Sequence, residues 1–138
     1  MSIEENKALA RRFYEELNKR NLGVLDELCA ANYVDHHPGG VEIHGPEELR
    51  QMMTGFFTAF PDLRFTVEDL IAEGDKVVAR WTSQWTHRGD LQGIAPTGKE
   101  GATTGIAILR IVGGKLVEEW AQMDMLGLMQ QIGAIPSQ

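Results

Sequence analysis

The hydrophobic pattern changes period at Pro61, and that change decides the fold class. Before it, apolar residues recur at helical spacing: Ile3, Ala10, Phe13, Tyr14 and Leu17, then Leu49, Met52, Met53, Phe56, Phe57 and Phe60. After it they alternate, with Leu63, Phe65 and Val67 set against Arg64, Thr66 and Glu68. Helices followed by an antiparallel run of strands predict an α+β fold, with the helices on one face of a curved sheet.

Local punctuation divides the two halves. Ser2 followed by Glu5 is a capping-box pattern that opens a helix running to about residue 19. Leu22, Val24, Leu25 and Leu28 fit a short second helix, and Pro38-Gly39-Gly40 ends what precedes it. Pro46 suits the first turn of a third helix, which Pro61 stops. Gly74-Asp75 is a turn between the first two strands that sets Asp69 opposite Arg80 as a surface ion pair, the second strand carrying Val77, Ala79, Trp81, Ser83, Trp85 and His87. A Gly/Pro-rich loop from Gly89 to Gly98 leads to a strand over 100–112. Gly113-Gly114 is a strong hairpin signal before the last strand, 115–123, and a closing helix follows from Met125.

Composition narrows the function. The chain has 138 residues, 43% hydrophobic and 24% charged, which is one ordinary domain spanning 1–138. Its net charge of −7, with no run of Lys or Arg longer than Arg11-Arg12, argues against nucleic acid and acidic membranes as partners. One cysteine, Cys29, makes neither an intrachain disulfide nor a cysteine-based zinc site. No apolar stretch reaches the roughly 18 residues of a membrane span, and the N-terminus lacks the pattern of a signal peptide. The expected compartment is the cytoplasm.

A two-residue Gly113-Gly114 loop sets a register for the last hairpin. It places Ala107 opposite Trp120, Gly105 opposite Gln122 and Thr103 opposite Asp124 on one face. Small residues facing a Trp, a Gln and an Asp read as a pocket. The other face would carry Ile106, Ile108 and Ala121, too apolar to be left wet, and so calls for a helix or a second copy. A one-residue bulge would swap the two faces.

Several ordered segments resemble one family. They are Tyr33-Val34-Asp35-His36, Phe60-Pro61-Asp62, Thr86-His87-Arg88-Gly89, Gly93 through Lys99, Gly114 through Trp120, then Asp124 and Gln131-Ile132-Gly133. Together they resemble the SnoaL-like polyketide cyclases, the ester-cyclase branch of the nuclear-transport-factor-2-like superfamily. The resemblance implies a cone-shaped, cystatin-like α+β barrel with N-terminal helices closing a cavity against a bent sheet. It also implies homodimers through the outer sheet face, and ring closure by aldol condensation without cofactor or metal.

The candidate residues follow from the pattern and the resemblance. Asp124 matches the family's acid/base aspartate; the competing role is a cap on the helix beginning at Met125. His87 would support an enolate, or simply end a strand. Trp120, Gln122, Trp85, Phe56, Tyr14 and His36 are the expected substrate-binding residues. Adjacent strand residues point to opposite faces, so at most one of His36 and His37 enters a cavity. Gly93 to Lys99 imitates a phosphate loop, but Glu100 stands where Ser or Thr would bind magnesium and Pro96 removes a donor. The expected function is a small cyclase, or related lyase or isomerase, acting on a hydrophobic carbonyl compound. A non-catalytic binding protein, an isomerase and an epoxide hydrolase are the alternatives.

Overall fold

A computed structural model describes residues 2–136. Helix α1 (Ile3–Asn18) opens on the expected capping box: Ser2 Oγ accepts from the Glu5 amide and Glu5 Oε1 accepts from the Ser2 amide. It buries Ala10, Phe13, Tyr14 and Leu17, while Ile3 stays exposed in the first turn. A 3-10 turn (Leu22–Val24) and α2 (Leu25–Leu28) follow. Helix α3 (Gly45–Ala59) buries Leu49 and Met53, and has Pro at its start as expected.

The strands are β1 (Cys29–His37), β2 (Val41–His44), β3 (Arg64–Glu73), β4 (Lys76–Thr86), β5 (Glu100–Val112) and β6 (Lys115–Met123), and α4 (Met125–Gln131) closes the chain. They form one six-stranded sheet in the order β2-β1-β6-β5-β4-β3. The α+β class and the antiparallel β3-β6 meander are as the pattern predicts. The β1-β2 hairpin is not: it lies in the third read as helical, and β1 pairs parallel to β6. Asn-Tyr-Val-Asp-His-His has little apolar alternation, so its strand character comes from pairing with β6.

The last hairpin contains the one-residue bulge that swaps the faces. Val112 pairs with Lys115 and Ile111 with Leu116, as the two-residue turn requires. The register then shifts, and Arg110 pairs with Glu118, Leu109 with Glu119 and Ala107 with Ala121. Val117 is the extra residue. Because side chains alternate with period 2, this insertion sends Glu119, Ala121 and Met123 inward and Trp120 and Gln122 outward. The expected pairs Ala107-Trp120, Gly105-Gln122 and Thr103-Asp124 are therefore corrected. The first hairpin keeps its predicted register from the turn to Asp69, which stands opposite Arg80 with their side chains 2.7 Å apart at the surface, and shifts between Asp69 and Val67.

Small residues on β5 do make room, but for β4. A Cβ on Gly105 would lie 2.2 Å from Trp81 Cζ2, and one on Gly101 2.6 Å from Trp85 Cη2. Each glycine sits beside its tryptophan across the ladder, Trp81 with Gly105 and Trp85 with Gly101. The indoles thus lie flat over β5 and floor the inner face. Helix α1 is pinned above them: the Asn18 amide donates to Phe65 O and accepts from Phe65 N, both at 2.8 Å. Arg20 donates to Pro61 O and Leu63 O and lies 3.8 Å over the Phe57 ring, tying the corner before β3 to the end of α1.

Candidate active site

Between the helices and the inner sheet face lies a cavity with about 80 Å³ of free space, several times the roughly 10–15 Å³ that one water needs. Its walls are apolar: Phe13, Tyr14 and Leu17 from α1, Met52, Met53 and Phe56 from α3, and Trp81 and Trp85 from β4. Ser83 and Thr103 line it from β4 and β5, and Asp35, His37 and Glu119 gather at the β1-β6 seam. Tyr33, Asp35 and His37 occupy alternate positions of β1. The parallel register sets Asp35 directly beside Glu119.

This places two carboxyl groups in a dry interior. Asp35 is 1% exposed and Glu119 6%. Burial first, and then the Asp35 charge, push the Glu119 carboxyl well above the usual range, against the opposing hydrogen bond from Tyr33. Glu119 is therefore the carboxyl whose surroundings favour its neutral, protonated form. The Tyr33 hydroxyl donates to Glu119 Oε1 at 2.9 Å. His37 Nε2 stands 2.8 Å from Asp35 Oδ2. Among the described residues, two cavity atoms have no hydrogen-bond partner: the Tyr14 hydroxyl and Asp35 Oδ1, both buried. Burial, then the charges of Glu119 and Asp35, raise the Tyr14 hydroxyl well above its ordinary value, so it stands as a neutral donor.

Of the residues expected from sequence, Tyr14, Phe56 and Trp85 line this cavity. Trp85 also donates from Nε1 to Thr103 Oγ1 at 2.9 Å. His87 is fully buried, yet outside the cavity lining, behind Phe60. Its Nδ1 lies 3.1 Å from Thr97 Oγ1 and accepts from the Thr97 amide, and its backbone bonds Lys99 and Gly98, so it anchors the loop over 88–99.

Three expected cavity residues lie on the outer face instead. His36 stacks on Trp120 with ring centroids 5.6 Å apart, and its Nε2 is 2.7 Å from Glu118. Trp120 pairs with Ile108 across the ladder and Gln122 with Ile106. The physical reason is the Val117 bulge for β6, and strand alternation for His36, whose neighbour His37 takes the inner position. Asp124 is exposed at the end of β6, where it accepts from the Gly127 amide at 2.8 Å and caps α4. We therefore expect Asp124→Asn to melt near the wild type and Asp124→Ala to lose about 1 kcal/mol. Thermal denaturation of both variants checks this, and a large drop for Asp124→Asn would contradict a purely capping role.

Asp35, His37, Tyr33 and Glu119 are not among the site residues the sequence singles out, His37 being weighed there only against His36. A signal existed for the first three: Tyr-x-Asp-x-His at alternate positions shares one strand face. Nothing local separates Glu119 from Glu118; only the bulge turns one in and the other out. Gln131 finds a structural role. Its amide accepts from Ala102 N and donates to Ala102 O, docking α4 on the end of β5 so that Leu128 closes the cavity.

A bent six-stranded sheet packed against helices around an apolar, carboxyl-bearing cavity is a nuclear-transport-factor-2-like fold. The sequence profile of the SnoaL-like polyketide cyclases matches residues 8–132, and this chain belongs to that family. It is 29% identical over 131 residues to aklanonic acid methyl ester cyclase DnrD of Streptomyces peucetius, covering 91% of this chain and 88% of that one. The crystal structure of AclR from Streptomyces galilaeus superposes with a TM-score of 0.89 at 31% identity, covering 99% of this chain and 86% of the other. A SnoaL-like protein from Jannaschia sp. CCS1 has a TM-score of 0.90 at 22% identity, covering 99% and 97%, a likeness of fold alone. No helix among the described residues is long and apolar enough to cross a membrane.

Proposed function

We propose that this protein is a cofactor-independent, cyclase-like enzyme that performs acid/base chemistry on a hydrophobic carbonyl compound in the cavity. The observation that carries this reading is the buried pair Asp35-Glu119 facing an unpartnered Tyr14 hydroxyl. Buried polar atoms are normally satisfied, so an unpartnered donor and acceptor in one roomy cavity describe the ligand that completes them. Tyr14 calls for an acceptor oxygen, and Asp35 Oδ1 calls for a proton. An enolisable ketone supplies both.

The chemistry then runs on the chain's own groups. Asp35 Oδ1 removes a proton from the activated carbon, and His37 holds Oδ2. The Tyr14 hydroxyl and the neutral Glu119 carboxyl donate toward the enolate oxygen as its charge grows. The carbanion carbon bonds a second carbonyl carbon of the same molecule, and the new alkoxide takes the proton back. No atom is lost, and the aromatic walls keep water from the enolate. A low-dielectric site strengthens each of these interactions.

The relatives' names make aklanonic acid methyl ester the first compound to offer. Incubated in deuterium oxide with the protein, it should take up deuterium at its activated carbon, followed by mass spectrometry, or should close its ring. Binding without exchange or closure would favour a non-catalytic ligand carrier instead.

We further propose a homodimer through the outer sheet face. Ile71, Ile106 and Val112 are exposed there, with Trp120 and Ile108 half-buried beside them. Ala121, expected on this face, has turned inward. Light scattering at micromolar concentration should give twice the mass of 15.4 kDa, and a monomer would refute the interface.

A further inference from the structure

A buried acid/base pair needs a route by which its protons equilibrate with water. Tyr14, Tyr33, Asp35 and Glu119 are all buried. His37 is the cavity group that meets solvent: its side chain is 12% exposed, while Nε2 lies 2.8 Å from Asp35 Oδ2. Its second ring nitrogen, Nδ1, has no protein partner among the described residues. The ring sits at the end of β1, where Pro38, Gly39 and Gly40 turn the chain at the protein surface with both glycines at positive φ. So one ring nitrogen meets a buried carboxylate while the ring is also partly exposed to water.

We propose that His37 is the proton relay between the buried carboxyl pair and bulk water. The inference rests on the reading of Asp35 and Glu119 as a proton-transfer pair. In the inward step, water delivers a proton to Nδ1 while Nε2 passes its own to Asp35 Oδ2. The outward step is the reverse. Only protons move, and the ring exchanges one tautomer for the other. An imidazole suits this task because it accepts at one nitrogen while donating at the other near neutral pH. The relay is a role beyond holding Asp35 in place, and the two separate experimentally. Gln at position 37 can still donate an N–H to Asp35, but it cannot take a proton from water in return.

The test follows the neutral carboxyl of the pair by infrared spectroscopy after rapid mixing into deuterium oxide. Its carbonyl stretch is assigned by its loss in Glu119→Gln. In the wild type the band shifts quickly. In His37→Gln the shift should slow by about 10²-fold, the lower end of what one placed proton-transfer group contributes. His37→Ala should slow it similarly and should recover with added imidazole, which a purely structural role would not do. These two variants also guard against a folding defect in either one, with melting temperature as the control. Unchanged exchange in folded His37→Gln overturns the relay and leaves the carboxyl pair standing. A wild type with no neutral-carboxyl band overturns the pair, and the relay with it.

Discussion

Asp35→Asn is expected to lower turnover by about 10²–10⁴-fold, the usual worth of a positioned general base, while the protein stays folded. Asn keeps the size of Asp, and its side-chain oxygen can still accept from His37. It cannot take a proton from carbon. Removing the charge also removes the cost of burying an ionised carboxylate, so stability should hold or rise. That combination is diagnostic, since a substitution that simply damaged the core would lower both activity and melting temperature. The measurement is deuterium uptake by the activated ketone, paired with thermal denaturation of the same sample. Because Asp35 and Glu119 act as a unit, adding Glu119→Gln should cost far less than the product of the single losses. Full activity in Asp35→Asn would remove Asp35 as the base.

Glu119→Gln should flatten the dependence of stability on pH. Folding holds the Glu119 proton more tightly than the unfolded chain does, through burial first and the Asp35 charge second. Above about pH 4.3, the ordinary value for a free glutamate, the unfolded chain releases that proton and the folded chain keeps it. The stabilising contribution is complete below that pH. It is lost as the pH rises toward the raised folded value, at up to about 1.4 kcal/mol per pH unit. Gln carries no titrating proton, and it mimics the neutral carboxyl: its oxygen accepts from Tyr33 and its amide can donate toward Asp35. Urea unfolding between about pH 5 and 8 should show the variant gaining on the wild type as the pH climbs. Two parallel curves would mean that Glu119 does not hold its proton in the folded state.

These two predictions replace a site centred on Asp124 and Trp120, and the reason for the change is one residue. The Gly113-Gly114 turn was legible, and so was the pairing of Val112 with Lys115. The bulge at Val117 was not, because a bulge depends on how a strand must bend to keep its neighbours on both sides. Strand β6 pairs antiparallel with β5 and parallel with β1 at once, with shifts in both ladders. One extra residue lets it bend and keep both. The same residue exchanges Trp120 for Glu119 on the inner face.

Short-range signals determined what short-range physics controls. The capping box of α1, the greasy face of α3, the Asp69-Arg80 pairing and the meander all rest on contacts within one element or between elements that follow each other along the chain. They can be read along the chain, and with them the α+β class and the aromatic character of the cavity, including Tyr14, Phe56 and Trp85. The carboxyl pair is different in kind. Tyr33 and Glu119 are 86 positions apart, and their hydrogen bond exists only because β1 inserts beside β6. No local pattern carries that information, since the inward or outward choice at each strand position follows from register, and register follows from the assembled sheet. The sequence by itself therefore determined the architecture and the walls. Only the tertiary structure decided which acids stand inside them, because a one-residue shift in a strand reverses every side chain beyond it.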